Sequence, residues 1–213
     1  MKESFELIVL TCSAKYGGYC VAGIETQSGQ FCRLISTDEL RHGALNDNHL
    51  CVNARNRIEL LDRILVRNAE HLPGPIQNEN YLVESRMPLQ FIAKESIDTA
   101  MRIHPPENRE SVFLGNSHLM RDGVDSIGHS LELLYVTQLR IYSLISWGKT
   151  KTKADFDYNG KRYQGFSVTD QRYFDQKGSG IMIDEACVVF SIADDEWARE
   201  NGYYKYLAAI YEL

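Results

Sequence analysis

Residues 11–36 read TCSAKYGGYCVAGIETQSGQFCRLIS and are the most informative segment of the chain. An apolar run ends at a small polar loop with a lysine and two glycines, and a second apolar run follows. A glycine-containing turn then leads into a third run, which carries an arginine. Apolar segments separated by such turns are typical of strands in a meandering, curled sheet. We therefore predict three strands in succession here.

The loop between the first two of these strands is a candidate binding element. Lys15 and Tyr16 offer a cation and an aromatic ring, and Gly17-Gly18 either brings backbone N–H groups close to a ligand or only lets the chain bend. Such a loop can hold a phosphate or stack a base, or it can be an ordinary turn with a solvated lysine. Arg33 on the third strand can bind a ligand with two hydrogen bonds, or pair with a carboxylate across the sheet.

The overall charge limits the kinds of partner. The formal net charge is −6 at pH 7, which argues against indiscriminate nucleic-acid binding, because that binding depends on phosphate neutralisation. A local basic face is still compatible with an acidic protein. No apolar window is long enough to cross a bilayer, and the first residues lack the features of a secretion signal. We expect a cytoplasmic location and no membrane partner.

Neither the cysteines nor the histidines show metal-ligand spacing. The five cysteines are an odd number and no two are separated by just two residues, so reduced thiols are expected. The six histidines are scattered and form neither a metal-binding helix nor a zinc-finger pattern. We expect no metal and no cofactor.

Strand-like sequence occupies both ends of the chain. Each end holds about five apolar segments in under about a hundred residues, which favours two small β-barrels over one sandwich. We predict a mainly β fold with a first barrel over residues 1–95, a helical or loop connector over 96–129, and a second barrel over 130–213. In the connector, Ser96–Arg102 reads as a helix that ends before Pro105-Pro106.

The second half contains the clearest basic stretch. Lys149, Lys151 and Lys153 stand at every second position after Trp147, so their side chains share one face of a strand. Lysines beside an aromatic ring suit a nucleic-acid interface, and they equally protect an edge strand from aggregation. The segment Gly148-Lys149-Thr150 is not a phosphate loop, because Ser143 occupies the position of the required upstream glycine.

Three other features of this half are interpreted from local patterns. Asn159-Gly160 between strand-like flanks predicts a two-residue hairpin. Asp170 either caps the backbone of a turn or, with Arg172, contacts a ligand. Near the end of the chain, Lys205 is expected to share an exposed face with Tyr203, where it can neutralise a bound anion.

These residues resemble a bacterial family of dual OB-fold domain proteins. In the first half the resemblance rests on Ser13, Lys15, Gly17-Gly18, Cys20, Val21-Ala22-Gly23, Arg33 and Ser36. In the second half it rests on Tyr158-Asn159-Gly160, Tyr163, Ser167-Val168-Thr169-Asp170 and Tyr204-Lys205-Tyr206-Leu207-Ala208-Ala209. The resemblance implies two OB-type barrels and a nucleic-acid or nucleotide-sensing role, within bacterial conflict (defence) systems.

We therefore expect a noncatalytic module that binds single-stranded nucleic acid or a nucleotide-like ligand. The alternative is a protein-interaction adaptor for a partner encoded in the same operon. No local signature joins a nucleophile to a base, so no catalytic residue is assigned, and an enzyme is the third hypothesis. The predicted ligand-binding residues are Lys15, Tyr16, Gly17, Gly18, Arg33, Trp147, Lys149, Lys151, Lys153, Arg172 and Lys205.

Overall fold

A computed structural model describes residues 2–15, 17–52, 57–84, 89–123, 126–174, 180–194 and 196–213. The chain forms two compact units, Met1–Pro105 and Pro106–Leu213. Among the described residues, neither helix has the length or the apolar character to cross a bilayer.

The first unit is a closed barrel of five strands with one further strand and a helix. Its elements are β1 (Lys2–Lys15), β2 (Gly18–Glu25), β3 (Phe31–Ile35), β4 (Asp62–His71), β5 (Asn80–Leu82), β6 (Gln90–Lys94) and α1 (Ile97–Ile103). The strand order is β1-β2-β3-β5-β4, and β4 also pairs with β1, so the five strands form a closed ring. The β3–β5 pair is parallel and the other pairs are antiparallel. The sixth strand lies along β4.

The second unit repeats this arrangement. Its elements are β7 (Leu119–Met120), β8 (Leu131–Ser146), β9 (Lys149–Tyr158), β10 (Lys161–Val168), β11 (Ile181–Ile192), α2 (Glu196–Asn201) and β12 (Tyr203–Glu212). The order is β8-β9-β10-β12-β11, with β11 back on β8 and β7 beside β12. Its parallel pair is β10–β12, which again joins the third and fifth barrel strands. The prediction of a mainly β fold with two small OB-like barrels is confirmed.

The core of the second barrel fixes which way its strands face. Phe156 stacks on Tyr163 with ring centroids 5.0 Å apart, and it meets Phe166 and Phe190 at 5.2 Å each. On β9 the even-numbered side chains from Thr152 onward are buried. Because side chains alternate along a strand, the odd-numbered residues of β9 point away from the core.

Two local predictions correspond to observed elements. The helix expected over Ser96–Arg102 is α1, whose first turn is capped by the Ser96 hydroxyl, which accepts a hydrogen bond from the Thr99 N–H at 3.2 Å. The hairpin expected at Asn159-Gly160 joins β9 to β10, and both turn residues have positive φ, at 49° and 71°. This is the left-handed conformation that two-residue hairpins require.

The segment 96–129, predicted as a connector, is divided between the two units. Helix α1 falls in the first unit, and the segment from Pro106 onward belongs to the second. Within the second unit, the Glu132 carboxylate accepts a hydrogen bond from the Phe113 N–H at 2.8 Å. The Tyr158 hydroxyl accepts one from the Arg109 N–H at 2.7 Å. These bonds hold the polar segment against its own barrel, so it is not a free linker.

Candidate nucleic-acid interface

A row of four side chains crosses the outer face of the second barrel. Lys153 on β9 lies opposite Tyr142 on β8 and Ser167 on β10. Ser167 in turn lies opposite Tyr206 on β12. All four are partly exposed. We call Tyr142, Lys153, Ser167 and Tyr206 the central row.

The cation at the middle of the central row is held in place. The Lys153 ammonium group donates to the Ser167 hydroxyl at 2.9 Å and to the Gly165 carbonyl oxygen at 3.0 Å. Partial burial, together with the charge of Lys151, lowers its pKa. With two acceptors among the described residues, the ammonium group keeps a third N–H for a ligand. The row therefore presents a positioned positive charge.

Aromatic rings extend the central row along β12. Tyr204 lies two residues before Tyr206 on the same face, and their ring centroids are 6.4 Å apart. His118 stacks on Tyr204 with centroids 6.0 Å apart and planes 12° apart. Burial, and then the charges of Lys153 and Lys205, lower the pKa of His118, so its imidazole is neutral at pH 7. This part of the face offers flat rings beside a cation.

The carboxylates on the same face are already engaged. The Asp155 carboxylate accepts hydrogen bonds from the Tyr142 hydroxyl at 3.1 Å and from the Gly165 N–H at 2.8 Å. Asp157 pairs with Arg162 at 3.0 Å. Asp157 is thus paired with a cation and Asp155 is held by two neutral donors, while Lys149 and Lys151 at the other end of β9 are exposed. Positive charge is concentrated toward the β8–β9 turn.

The β8–β9 hairpin ends in a turn formed by Trp147 and Gly148. Both residues have positive φ, at 53° and 70°. The Trp147 side chain is 96 % exposed. Lys149 and Lys151 pair with Ser146 and Leu144. The structure therefore brings four of the predicted binding residues, Trp147 and the three lysines that follow it, onto one hairpin.

Arg172 is committed to contacts within the protein. Its guanidinium donates to both carboxylate oxygens of Asp170, at 3.0 and 2.6 Å, and to the Ile210 carbonyl oxygen at 2.7 Å. Burial opposes its charge, but the bond to Asp170 raises its pKa. Asp170 also accepts from the backbone N–H groups of Arg172 and Ile210. Asp170 acts as a backbone cap, the first of the two alternatives, and Arg172 is its partner.

The expectation that Lys205 is exposed is wrong. Its side chain is 1 % exposed and points into the second barrel. The ammonium group donates to the carbonyl oxygens of Val112 at 2.7 Å, Leu114 at 3.3 Å and Gly115 at 2.7 Å. Burial lowers its pKa to about 8. The register with β10 turns Tyr204 and Tyr206 outward and Lys205 inward, so this lysine holds a loop and does not face a ligand.

Arg33 is buried in the first unit. It is 3 % exposed, and its guanidinium donates to the Cys20 thiol at 2.7 Å and lies 3.5 Å from the Glu79 carboxylate. Burial disfavours its charge, but Cys20 and Glu79 raise its pKa. Of the two alternatives for Arg33, pairing with a carboxylate is the one observed.

The row of the first barrel that matches the central row is covered. It crosses the same four strand positions through Thr11, Ala22, Arg33 and Asn80. All four of these residues are buried. The accessible row therefore belongs to the second barrel.

The glycine-pair loop of the first barrel is described in part. Gly17 has a φ of 71°, and no atom lies within 4 Å of the place where its Cβ would be. The bend of the chain therefore explains the glycine at position 17, and close packing does not. Gly18 is buried at the start of β2. Tyr16 and the side chain of Lys15 lie outside the described residues.

The first unit also contains a polar cavity of about 510 Å³. Asp38, Glu84 and His49 contribute to its wall. Burial lowers the pKa of His49, so the imidazole does not supply a positive charge at neutral pH. Asp38 and Glu84 place two carboxylates in this wall, which disfavours a phosphate group there. The cavity is therefore no substitute for the lysine-bearing face.

The family model of the dual OB-containing domain matches residues 5–210. The chain belongs to the dual OB-containing domain family. The matched residues include nearly all of the strands of both barrels. No curated protein matches the sequence significantly.

Several solved structures are similar to this dual OB-containing chain over nearly its whole length. One is the p204 HINb domain, which is 8 % identical; the alignment covers 99 % of this chain and 95 % of that chain, with a TM-score of 0.42. Another is a murine DNA-binding protein bound to double-stranded DNA, at 6 % identity, 99 % and 96 % coverage and a TM-score of 0.41. A third is the tetrameric p202 HIN2, at 8 % identity, 100 % and 94 % coverage and a TM-score of 0.39. Likeness at this level says nothing of this chain's function.

The sequence analysis missed several side chains of the candidate interface. Tyr142 and Leu144 alternate on β8 as the lysines do on β9, a signal that was present in the sequence. His118 lies in an irregular segment whose period carries no information about its neighbours. Ser167 and Tyr206 become neighbours only through the parallel β10–β12 pair, which no local sequence pattern predicts.

Proposed function

We propose that this dual OB-containing protein is a noncatalytic module that binds single-stranded nucleic acid on the outer face of its second barrel. The observation that carries the proposal is the central row, in which the fixed Lys153 cation stands between aromatic rings. OB-folds bind oligonucleotides on the face of their second and third strands. In the second barrel these strands are β9 and β10, which carry Lys153 and Ser167.

The lysine spacing suits an extended strand of nucleic acid. Lysines at every second position of a strand stand about 7 Å apart. That spacing is similar to the distance between successive phosphates of an extended single strand. Tyr142, Tyr204 and Tyr206 offer rings on which bases can stack, a contact that does not depend on base identity. We infer weak sequence preference and marked salt dependence.

The net charge of −6 restricts the interaction to this local face. Long-range repulsion from the acidic remainder favours a flexible single strand, which can follow the lysines without laying a second backbone against the protein. The face is open and is not a closed cavity, which favours a polymer over a single nucleotide. The setting we propose is the bacterial cytoplasm, within a conflict system, in keeping with the family resemblance of the sequence.

Fluorescence anisotropy with labelled single-stranded DNA and RNA of about 20 nucleotides tests the proposal. We expect binding at about 50 mM salt that weakens at least tenfold at about 200 mM salt. Changing Lys149, Lys151 and Lys153 together to Ala should abolish most of it. The control is Lys161→Ala, which removes one exposed charge at the Asn159–Gly160 hairpin. No binding by the wild type, or equal binding by the triple variant, contradicts the proposal.

An adaptor for an operon-encoded protein is the second candidate, and the acidic balance of the chain favours it. Co-purification with a neighbouring gene product, free of nucleic acid, would support this alternative. The triple lysine variant would then leave the complex intact, which separates the two functions.

A further inference from the structure

The two hairpin turns of β9 have closely similar φ values and share a glycine at the second position, but they differ in their first residue. Asn159-Gly160 has φ values of 49° and 71°, and Trp147-Gly148 has 53° and 70°. Asparagine is among the residues that this position favours, whereas a bulky aromatic residue is strained there. The Trp147 position is therefore not chosen for the stability of the turn. An indole held at a strained hairpin tip indicates a role for the ring itself.

The Trp147 hairpin also carries a large apolar side chain on each of its faces. Leu144 lies on the face of Lys151, and Ile145, opposite Thr150, lies on the other face. Ile145 is 82 % exposed and Trp147 is 96 % exposed. Several large apolar side chains grouped at an exposed tip mark a contact site more than an ordinary surface. The tip is thus suited to contact an apolar surface.

The charge around the tip identifies the chemistry of that partner. From Ser143 to Lys153 the chain has three lysines and no acidic residue, within a protein whose net charge is −6. The partner must then combine a flat apolar surface with negative charge at its edge. The exposed end of a stack of base pairs has both properties, since its bases are flanked by phosphates.

We propose that the Trp147 tip is a wedge that stacks on the last base pair of a duplex where it opens into a single strand. This inference rests on the proposed function. The strand that leaves on the Lys151 side continues over the central row. The other strand meets the uncharged Ile145 and Thr150 side and is turned away. The preferred ligand is therefore a junction between double- and single-stranded nucleic acid, rather than a uniform single strand.

The test compares a single-stranded oligonucleotide, a blunt duplex and a duplex with a single-stranded tail, all carrying the same label. We expect the full chain to bind the tailed duplex about tenfold more tightly than the single strand, the gain of one base stack. Trp147→Asn should lower the affinity for the tailed duplex to that for the single strand. Because Asn159 occupies the equivalent position, this variant should unfold at the same temperature as the wild type or higher.

Each further outcome has a defined meaning. Ile145→Thr should lower the preference for the tailed duplex in the same direction. If the single strand binds but the tailed duplex has no advantage, or Trp147→Asn weakens both probes equally, the wedge is wrong while the proposed function stands. If no nucleic acid binds, both fail. Trp147-dependent retention on vesicles of anionic phospholipid, without a preference for the tailed duplex, would also overturn the wedge.

Discussion

The Lys205 ammonium group lies 2.7 Å from the carbonyl oxygen of Gly115, to which it donates a hydrogen bond inside the second barrel. A lysine enclosed by carbonyl groups ties a polar loop to the barrel, but it must carry its charge out of water to do so. Burial lowers its pKa from 10.5 to about 8. That difference between the folded and unfolded states makes stability depend on pH.

The first prediction concerns the sign of this dependence. Between pH 8 and 10.5 the unfolded chain binds more protons at Lys205 than the folded chain, so its contribution to stability rises with pH. The contribution is full above 10.5 and is lost as pH falls through about 8. We expect urea unfolding to show a gain of about 2 kcal/mol from this residue between about pH 7.5 and 9.5.

Lys205→Met should remove that gain, and it should also lower stability at neutral pH because three carbonyl oxygens lose their donor. The pH range stays below the titration of the buried tyrosines, whose pKa values are raised by burial, as for Tyr163 and Tyr211. The same slope in the variant and the wild type would refute the role assigned to Lys205.

The second prediction concerns Arg33. Arg33→Met removes the guanidinium beside the buried Glu79 carboxylate, which should cost about 3–5 kcal/mol of the free energy of unfolding. Chemical denaturation measures the loss. Arg67→Met is the control, because Arg67 is exposed and its guanidinium donates to Gln90 at 2.7 Å. The folded fraction of the Arg33→Met protein should bind single-stranded DNA with unchanged affinity. A loss of this binding without a loss of stability would mean that Arg33 contacts the ligand.

The third prediction concerns His118. In the free protein its pKa lies below 6.5, because burial and the charges of Lys153 and Lys205 disfavour the imidazolium. A bound phosphate would oppose those effects, so binding should be coupled to proton uptake. Affinity for a single-stranded oligonucleotide should rise as pH falls from about 7.5 to 5.5. His118→Gln should flatten this profile, whereas His71→Gln in the first unit should retain it.

The fourth prediction concerns the stacking surface. Tyr206→Ala should weaken oligonucleotide binding about tenfold, as expected for the loss of one stacked base. Tyr206→Phe keeps the ring and should bind nearly as the wild type does. The control is Tyr135→Ala, because Tyr135 is an exposed tyrosine on β8 that does not belong to the central row. A Phe variant as weak as the Ala variant would mean that the hydroxyl, and not the ring, is the contact.

The fold could be predicted from local signals because its turns contain residues that favour positive φ, and these residues show where each strand ends. Glycines between short apolar runs, and Asn159-Gly160 above all, define strands whose lengths suit small barrels. The alternation of Lys149, Lys151 and Lys153 likewise shows which side chains share a face. These signals are local, so they can be interpreted without knowing which strands pair.

The burial of Lys205 and Arg33 depends on nonlocal pairing. In Tyr203–Tyr206 an aromatic residue or a lysine stands at every position, so alternation does not reveal which face is apolar. The register with β10 and β11 decides it, and Lys205 turns inward. Arg33 does point away from the core residues Cys32 and Leu34, but that outer face is itself buried. Burial of an outer sheet face cannot be read from strand periodicity.

The parallel pairs that close the barrels have a consequence for folding during synthesis. The first ring joins where Arg33 meets Asn80, and the second where Ser167 meets Tyr206. A nascent chain can complete the first ring before most strands of the second have been synthesised. The two rings then offer open strand edges at different moments, which lowers the chance that an edge from one pairs with an edge from the other.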